Sequence, residues 1–519
     1  MEDILKHWGP SVAIFAPLVG AALMMLIPKV EEELHKWVAL LTSLIVFGVT
    51  IWIAFIFDYD HSGDLQFLVD HKWIEVINSK YIVGLDGISL PLLLLTVLVV
   101  PSVIIYSWNH FPEPHNPKAF LILTLILETG MVGTFLAQDL ILFFVFFEIV
   151  LLPMYFMIGV WGGEQRMYAA IKFFLFTLFG SALMIVSFLA LYFLAKDGAG
   201  NELHTFSMIE LAKAHGAGIA HTTQLVVFGG MFIGFGIKVP MFPFHTWLPD
   251  AHTQAPTQGS VILAAVLLKL GTYGFVRVAI PILPEAAHSW APYIALLAVI
   301  GIIYGALCCL AQTDMKRLIA FSSVAHMGFV MLGISTLTSF GINAAVMGMV
   351  AHGLITGMLF FIAGSVKERF HTLEIKRLGG LLLQAPRMGW IFGFCAMASL
   401  GLPGLAGFWG EFPAILSSYE PAAGLSEPLF RVYMVVAAIG TVFAAGYLLW
   451  LLQRIAFGVP QNEWEGHEFH DIELPEWLSW APLLALIVVI GIFPNLVFHV
   501  TDPAVSSVLN GVNQLALGK

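Results

Sequence analysis

The sequence predicts an all-α polytopic membrane protein, and its composition and its patterning both carry this prediction. Of its 519 residues, 59% are hydrophobic and only 11% are charged, whereas a soluble domain carries roughly 25% charged residues. The apolar residues also form long runs, and about 20 apolar residues in a helix span a bilayer core. Such a chain has too few charges to solvate a folded surface, which excludes a soluble enzyme, and nothing in it suggests nucleic-acid binding.

Fourteen apolar segments are expected to cross the membrane as helices. The fourth and fifth are separated only by the polar step Gln138-Asp139. The segments lie at about 10–28, 36–57, 88–107, 119–138, 139–161, 168–195, 222–244, 257–279, 289–310, 315–336, 340–365, 391–418, 430–457 and 475–499. Residues 58–87 contain alternating apolar residues and predict a hairpin outside the cytoplasm. Residues 366–390 form the most basic loop.

The basic residues of the loops predict the orientation, since Lys and Arg concentrate on the cytoplasmic side. If the N-terminus lies outside, the cytoplasmic loops contain twelve of the 23 basic residues and the outer loops eight. This favours both termini outside. The N-terminus lacks the basic region and cleavage site of a cleavable signal peptide, so the first span is expected to be retained.

Titratable residues inside the predicted spans are the main functional signal. A charge at the bilayer centre costs roughly 2.5–3.5 kcal/mol, so these side chains are expected to face one another or water inside the bundle. The residues are Glu148, Lys172, Lys238, Lys269, His326, His352 and Glu411.

Plainer explanations compete at several of these positions. Lys172 lies five residues into its span, and its side chain can extend to the interface. Glu411 can be a structural partner of a lysine, and a lone buried histidine is more often a hydrogen-bonded core residue than a proton carrier. Lys238, Lys269 and Glu148 lie deeper, which favours a functional role.

Metal and redox sites are weakly indicated. The three cysteines, Cys308, Cys309 and Cys395, lie in apolar segments without a C-x-x-C pair, so neither a disulfide framework nor an iron–sulfur site is predicted. His245 and His252 lie seven residues apart with no further ligand cluster. Ordinary structural histidines explain this spacing better than a metal site.

The residue types suit proton movement. Burial disfavours the charged form of both lysine and glutamate, and an opposite charge nearby restores it. A change in the distance between Glu148 and Lys238 would therefore change the proton affinity of the lysine. Histidine titrates near neutrality and can pass a proton between its two ring nitrogens.

Two predicted spans are broken, and each break adjoins a charge. Pro240 and Pro243 follow Lys238 by two and five residues and supply no amide hydrogen. The carbonyls of Gly236 and Val239 are therefore expected to be free to solvate the lysine. The second break, GLPGLAGFWGEF, precedes Glu411. Paired broken helices are typical of transporters with inverted repeats.

The positions of the breaks predict the organisation of the chain. They fall in spans 7 and 12, which indicates two inverted five-helix repeats, spans 4–8 and 9–13. The predicted units are residues 1–118 with spans 1–3 and the hairpin, 119–279 and 289–457 as the two repeats, and 475–519 as the last span and tail.

Several segments resemble the antiporter-like subunits of respiratory complex I and the related Mrp antiporter subunits. They are FFEIVLLPMYF, KVPMFPFHTWLPDAHTQAPTQGSVILAAVLLK, QTDMKRLIAFSSVAHMGFV, AHGLITGMLFF and LPGLAGFWGEF, and the resemblance covers roughly 80 to 460. The sequence ends about twenty residues after span 14, so the C-terminal lateral helix of the L-type branch is not expected. Glu411 stands where the L- and N-type branches typically have lysine, which favours the M-type branch.

The resemblance implies a proton-translocating function within a bacterial NADH–quinone oxidoreductase of the inner membrane. It implies that Glu148 and Lys238 form a modulating pair and that Lys269 is the central proton carrier. It further implies that His326 and His352 connect this carrier to the terminal site Glu411, and Lys172 is a secondary candidate.

The same resemblance implies where the redox chemistry lies. No cofactor is expected in this chain, and FMN, iron–sulfur clusters, NADH and quinone are expected in partner subunits. The expected partners are other membrane subunits, especially L-type and N-type chains. The alternatives are an Mrp-type sodium/proton antiporter subunit, a membrane subunit of an energy-converting hydrogenase, or a structural scaffold.

Overall fold

The computed structural model describes residues 2–464, 466, 467 and 469–516 and is predominantly helical. Within these residues, twelve helices are long and apolar enough to cross a membrane. The predicted class, a polytopic α-helical membrane protein, is therefore confirmed. Twelve such helices are found, against fourteen predicted spans, because the predicted spans 7 and 12 are divided into shorter helices.

The N-terminal part of the chain contains three long helices and a two-stranded sheet. Its elements are α1 (Glu2–Leu26), α2 (Glu32–Ile56), β1 (Gln66–Ile74), β2 (Ser79–Leu85) and α3 (Ser89–Tyr106). The strands are antiparallel, with Asp70 opposite Ile82. Residues 58–87 thus contain a two-stranded hairpin, and its side of the membrane stays a prediction.

The next part of the chain begins with the predicted split at Gln138-Asp139. Its helices are α4 (Pro117–Leu136), α5 (Leu140–Ile149), α6 (Leu151–Trp161), α7 (Arg166–Leu194) and α8 (Met208–Ala214). The split is confirmed because the carboxylate of Asp139 accepts hydrogen bonds from the amides of Ile141 and Leu142. This is the N-cap arrangement that starts a new helix.

The first broken span is followed by a helix of unusual geometry. The broken span consists of α9 (His221–Lys238) and α10 (Trp247–Gln254), joined through a short 3₁₀ turn. The helix after it consists of α11 (Thr257–Ile262), α12 (Leu268–Gly274) and α13 (Ile280–Ile282). Two π-helical segments, Leu263–Leu267 and Phe275–Ala279, link these three. Such segments are rare and occur frequently at functional sites.

The C-terminal half contains the second broken span. Its helices are α14 (Pro284–Leu310), α15 (Met315–Ser335), α16 (Ser339–Phe370), α17 (Leu381–Gln384), α18 (Pro386–Ser399), α19 (Ala406–Ser417), α20 (Glu427–Ile455), α21 (Leu474–Ile492), α22 (Asn495–Val508) and α23 (Asn510–Ala516). The break separates α18 from α19. The sequence did not predict α22 and α23.

The helices with candidate residues occupy the centre of the bundle. The span that contains α12, together with α15 and α16, is almost entirely buried, whereas α1, α2, α7 and α20 have most of their surface at the periphery. Since burial in the protein shields charges from lipid, the centre is where intramembrane lysines, glutamates and histidines are expected.

The two ends of the bundle can be told apart by their loops. The hairpin face is the end that contains β1 and β2, where Val83 pairs with Ala137 after α4. At the opposite face, the side chain of Gln258 donates to the carbonyl of His110. The long helices run between these two faces.

Candidate functional site

Two backbone carbonyls at the first break are satisfied within the protein. The amide of Met241 donates to the carbonyl of Gly236 at 2.9 Å, and the indole of Trp247 donates to the carbonyl of Ile237 at 2.9 Å. The expectation of a free carbonyl at Gly236 is therefore wrong, because the amide after Pro240 replaces the one that proline lacks.

Lys238 is buried without a hydrogen bond. Its side chain ends α9 and the residue is 2% exposed, and its ammonium has no hydrogen-bond partner among the described residues. The Nζ atom lies 4.6 Å from the centre of the Phe147 ring. A cation over an aromatic face is attracted by the ring quadrupole. Phe147 therefore stabilises the ammonium of Lys238, a role that the sequence analysis predicts for backbone carbonyls.

Glu148 lies next to this ring on α5. The hydroxyl of Ser181 on α7 donates a hydrogen bond to its carboxylate. Glu148 and Lys238 interact electrostatically, but within the described residues no ion pair shorter than 4.0 Å joins them. The structure thus brings the two residues near each other without direct contact.

Lys269 is in direct contact with a histidine of another helix. Its Nζ atom lies 2.7 Å from Nδ1 of His352 on α16 and donates to the carbonyl of Ala264 at 2.5 Å. Ala264 belongs to the first π-helical segment. Lys269 is fully buried, so these two contacts are its polar environment.

His326 connects to Glu411 across the second break. Its Nδ1 atom lies 2.5 Å from the carboxylate of Glu411, and Nε2 lies 3.1 Å from the hydroxyl of Ser399. Gly401 and Gly404 have φ angles of +80° and +95° between α18 and α19. This left-handed conformation suits glycine and lets α19 present Glu411 to α15.

A small cavity lies beside the two histidines. It has a volume of about 20 Å³ and is lined by both rings together with Thr356, Ser399 and Glu411. The ring centres of His326 and His352 are 5.9 Å apart. A polar cavity of this size accommodates about one water molecule, which can bridge the rings.

Tight backbone packing separates Lys238 from Lys269. A methyl group placed on Gly271 would lie 2.7 Å from the carbonyl oxygen of Phe235 and 3.0 Å from the amide of Val239. The two lysine-bearing helices therefore meet at their backbones. No hydrogen bond among the described side chains links the two lysines.

Lys172 has a specific partner. Its ammonium lies 2.7 Å from the carboxylate of Asp250 on α10. The same carboxylate lies 3.5 Å from the guanidinium of Arg317. The simple expectation of a side chain that extends to the interface is incomplete, because Lys172 is held in an ion pair at the opposite face.

Sequence reasoning missed a buried histidine near Lys269. His252 is fully buried, and its ring stacks on Phe360 at 4.4 Å. Neither ring nitrogen has a hydrogen-bond partner in the part of the chain that the structure describes. Lys269 and Lys316 both act on it electrostatically. The spacing of His245 and His252 indicates a metal site only weakly. The proximity of His252 to Lys269 could not be predicted, because it depends on how the broken helix folds back.

Other charged residues also lie deeper than the sequence suggested. Lys316 and Arg277, which the orientation argument counted in loops, lie within spanning helices. Glu128, in the middle of α4, is fully buried and accepts a hydrogen bond from Ser43 at 3.1 Å. The sequence already contains the signal for Glu128, since its carboxylate lies at the centre of a run of apolar residues.

One cluster has the composition of a metal site. His110, Glu368 and Glu476 place ligand atoms within 4.8 Å of one another near the opposite face. Arg369 already donates two hydrogen bonds to Glu476, at 2.9 Å and 2.8 Å. The cluster is therefore best described as an ion-pair network.

The fold and the buried residues together define a class: a polytopic membrane protein with lysine, histidine and glutamate side chains in a line at its centre, as ion-translocating proteins have. A family described as "NADH:quinone oxidoreductase/Mrp antiporter, TM" matches residues 137–439. A second, "NADH-ubiquinone oxidoreductase chain 4, amino terminus", matches residues 15–134. The chain belongs to this family of antiporter-like membrane subunits of NADH–quinone oxidoreductase.

Individual relatives agree with this assignment. NADH-quinone oxidoreductase subunit M of Rickettsia bellii is 39% identical over 504 residues, which cover 96% of this chain and 98% of that protein. A chain of respiratory complex I from Thermus thermophilus superposes with a TM-score of 0.84 at 28% identity, over 96% of this chain and all of that one. A chain of the Mrp complex from Dietzia shares the fold, with a TM-score of 0.83 at 17% identity over 99% of both chains.

Proposed function

We propose that this chain translocates protons as the M-type membrane subunit of an NADH–quinone oxidoreductase, with Lys269, His352, His326 and Glu411 as its path and with Glu148 and Lys238 as its gate. The observation that carries the proposal is the line of contacts from Lys269 through His352 and His326 to Glu411. Each of these four side chains can gain or lose a proton. A cavity that accommodates about one water molecule lies beside His352 and His326, the step of the line without a direct hydrogen bond.

Lys269 acts as the central carrier. Its contact with Nδ1 of His352 holds one shared proton, because two charged groups at 2.7 Å would repel each other. A proton that leaves the lysine passes to His352, then through the cavity to His326. Glu411 receives it at the end of this line. The relay returns to its initial state when Glu411 releases this proton and Lys269 takes up another.

Glu148 and Lys238 act as the gate of this relay. A charged Lys238 is stabilised by Glu148 and by the Phe147 ring, and a movement of α5 against α9 changes both interactions. Since no hydrogen bond among the described residues joins Lys238 to Lys269, the influence of the gate on the carrier is electrostatic. A change of charge at Lys238 alters the affinity of Lys269 for its proton.

The architecture follows from the two breaks. We assign fourteen crossings, counting α9 with α10 and α18 with α19 as one each, and two inverted repeats, residues 119–279 and 289–457. Residues 1–118 and 475–519 complete the bundle. We assign the hairpin face and both termini to the periplasm, since the loops of the opposite face have more basic residues. Protons then move from the opposite face toward the hairpin face.

The chain works as part of a larger enzyme. It is part of an oxidoreductase complex, and we assign the redox groups, FMN, iron–sulfur clusters, NADH and quinone, to partner subunits. L-type and N-type chains are the expected neighbours in the bacterial inner membrane. The energy of quinone reduction reaches this chain through those partners, electrostatically or through small helix movements.

Proton pumping during NADH oxidation tests the proposal. Membranes that carry Lys238→Ala or Glu148→Ala are expected to oxidise NADH with less proton uptake into inverted vesicles, at normal abundance of the complex. Lys72→Ala is the matched control, because Lys72 lies exposed on the hairpin. Unchanged pumping in both variants would contradict the gate, and sodium-dependent exchange without NADH would favour an antiporter instead.

A further inference from the structure

A large cavity opens at the hairpin face, away from the proposed proton path. It has a volume of about 540 Å³, and its lining includes the exposed residues Asp64 and Lys213 and the buried residues Asp86 and Gln138. Arg277, whose side chain is 10% exposed, also lines it. The exposed residues form the rim and the buried ones the floor, so water that fills the cavity reaches the floor.

The floor is an ordered chain of polar contacts. Arg277 lies 2.5 Å from the carboxylate of Asp86, and its Nε donates to the hydroxyl of Tyr273 at 3.2 Å. The hydroxyl of Tyr273 donates in turn to the carbonyl of Phe135 on α4 at 3.0 Å. Asp86 is fixed because its carboxylate accepts the amide of Ser89 at 3.1 Å, at the start of α3. The guanidinium is therefore held by Asp86, at the start of α3, and by Tyr273 of its own helix.

This floor lies close to Lys269. Tyr273 follows Lys269 by four residues and Arg277 by eight on the same helix. At 1.5 Å per residue, Arg277 is about 12 Å further along the axis. The second π-helical segment, Phe275–Ala279, contains Arg277. Only about two helical turns separate the buried lysine from a water-accessible cavity.

We propose that Arg277, held by Asp86 and Tyr273, is an electrostatic plug that prevents a proton on Lys269 from escaping directly into the cavity at the hairpin face. The inference rests on the proposed function, because a plug is needed only if Lys269 carries protons. Arginine stays protonated in proteins, so it cannot relay a proton. A fixed positive charge instead repels an approaching one, as the arginine of a water channel excludes protons.

The plug explains two features that proton relay alone does not. The ion pair of Asp86 and Arg277 has no titratable neighbour that connects it by hydrogen bonds to Lys269 among the described residues. The hydroxyl of Tyr273 is also committed to a backbone carbonyl, which closes this side of the helix. Protons on Lys269 are thereby directed to His352.

Passive proton conductance of the reconstituted complex tests the plug. The complex is placed in liposomes with a trapped pH-sensitive dye, and a pH gradient is imposed without NADH. The double variant Asp86→Asn, Arg277→Gln removes both charges together, so that no unpaired charge is left buried. We expect its conductance to rise on the order of tenfold, the effect of lowering a barrier by about 1.4 kcal/mol.

Three further variants make the test specific. Arg277→Lys keeps the charge and is expected to leak little, and Tyr273→Phe releases Arg277 from one contact and is expected to leak moderately. Lys213→Gln removes a cation from the rim of the same cavity and is expected to leave the conductance unchanged.

The outcomes separate this proposal from the proposed function. Pumping by the unsubstituted complex with NADH tests the function on its own. Unchanged passive conductance in the assembled double variant and in Tyr273→Phe would overturn the plug. Loss of pumping without any leak would also overturn it, because Arg277 would then belong to an exit path.

Discussion

Lys269 and His352 lie 83 positions apart in the chain, yet Nζ of the lysine is 2.7 Å from Nδ1 of the histidine at the centre of the bundle. The contact requires that one of the two atoms accept the proton of the other. An ammonium with a neutral imidazole satisfies it, and so does a neutral amine with a protonated Nδ1. This pair is thus a site where one proton is shared between two helices.

Replacement of Lys269 is expected to stop proton translocation. Proton transfer by a positioned side chain contributes roughly 10²–10⁴-fold to a rate, and Lys269→Ala removes the donor to His352. Proton uptake per NADH oxidised in inverted vesicles is the measurement. Full pumping by an assembled Lys269→Ala complex would favour a purely structural role for this chain.

Glu411 is expected to contribute to stability as well as to proton transfer. The side chain of His326 is only 6% exposed, and Glu411→Ala leaves its Nδ1 atom without the carboxylate partner. An unpaired buried polar group lowers the free energy of unfolding by about 1–3 kcal/mol. Glu411→Gln retains an acceptor and is the matched control. Thermal unfolding of the purified complex is expected to show a lower midpoint for alanine than for glutamine, and equal midpoints would contradict the contact.

Phe147 is expected to matter for pumping although it carries no charge. Phe147→Leu removes the ring that faces Lys238, an interaction of about 0.5–2 kcal/mol. Phe143, one turn earlier on α5 and also buried, is the matched control, since Phe143→Leu loses the same volume without a cation contact. Pumping at fixed NADH oxidation should fall several-fold more for Phe147→Leu, and equal losses would reduce the role of Phe147 to packing.

Gly271 is expected to be required for the approach of the two lysine-bearing helices. In Gly271→Ala the new methyl group would meet backbone atoms of Phe235 and Val239 at 2.7 Å and 3.0 Å, and such overpacking costs about 1–3 kcal/mol. At Gly236 the nearest atom is 3.7 Å away, so Gly236→Ala is the control. A lower unfolding temperature is expected for Gly271→Ala alone, and a similar loss in both would argue against tight packing at Gly271.

The loop at His110 is expected to be more protected at low pH. Burial lowers the pKa of His110, but the carboxylates of Glu368, Glu476 and Glu473 together raise it more, so the net shift is upward. A histidine whose pKa is raised on folding stabilises the folded loop. The full contribution is present at pH values below the ordinary histidine pKa of about 6.5. This contribution is lost as the pH rises through the raised value.

Hydrogen exchange measures this loop directly. Peptides that cover residues 105–116 are expected to exchange faster, after correction for intrinsic rates, as the pH rises through that window. His110→Gln should remove the pH dependence. A pH-dependent protection that persists in His110→Gln would assign the effect to another group.

The residue pattern was sufficient to predict the membrane class, the two-stranded hairpin, both breaks and six titratable side chains inside the bundle. Four of the six are buried, and Glu148 and Glu411 are partly buried. These features are local, because a run of apolar residues, a proline in a helix or a charge within a span is visible without knowledge of its neighbours. Glu128 had the same local signal and was overlooked, and it lies fully buried in α4.

The partners of these residues were decided by tertiary structure alone. From the sequence, we expect backbone carbonyls to solvate Lys238. In the structure, the ring of Phe147 from another helix faces the ammonium of Lys238. Burial of Arg277 and Lys316, which the pattern placed in loops, depends on how far the helices extend. The chain by itself determined which side chains enter the membrane, because hydrophobicity acts on each segment independently. Helix rotation, the two breaks and glycine contacts determined which of them meet, because packing joins segments that are far apart in sequence.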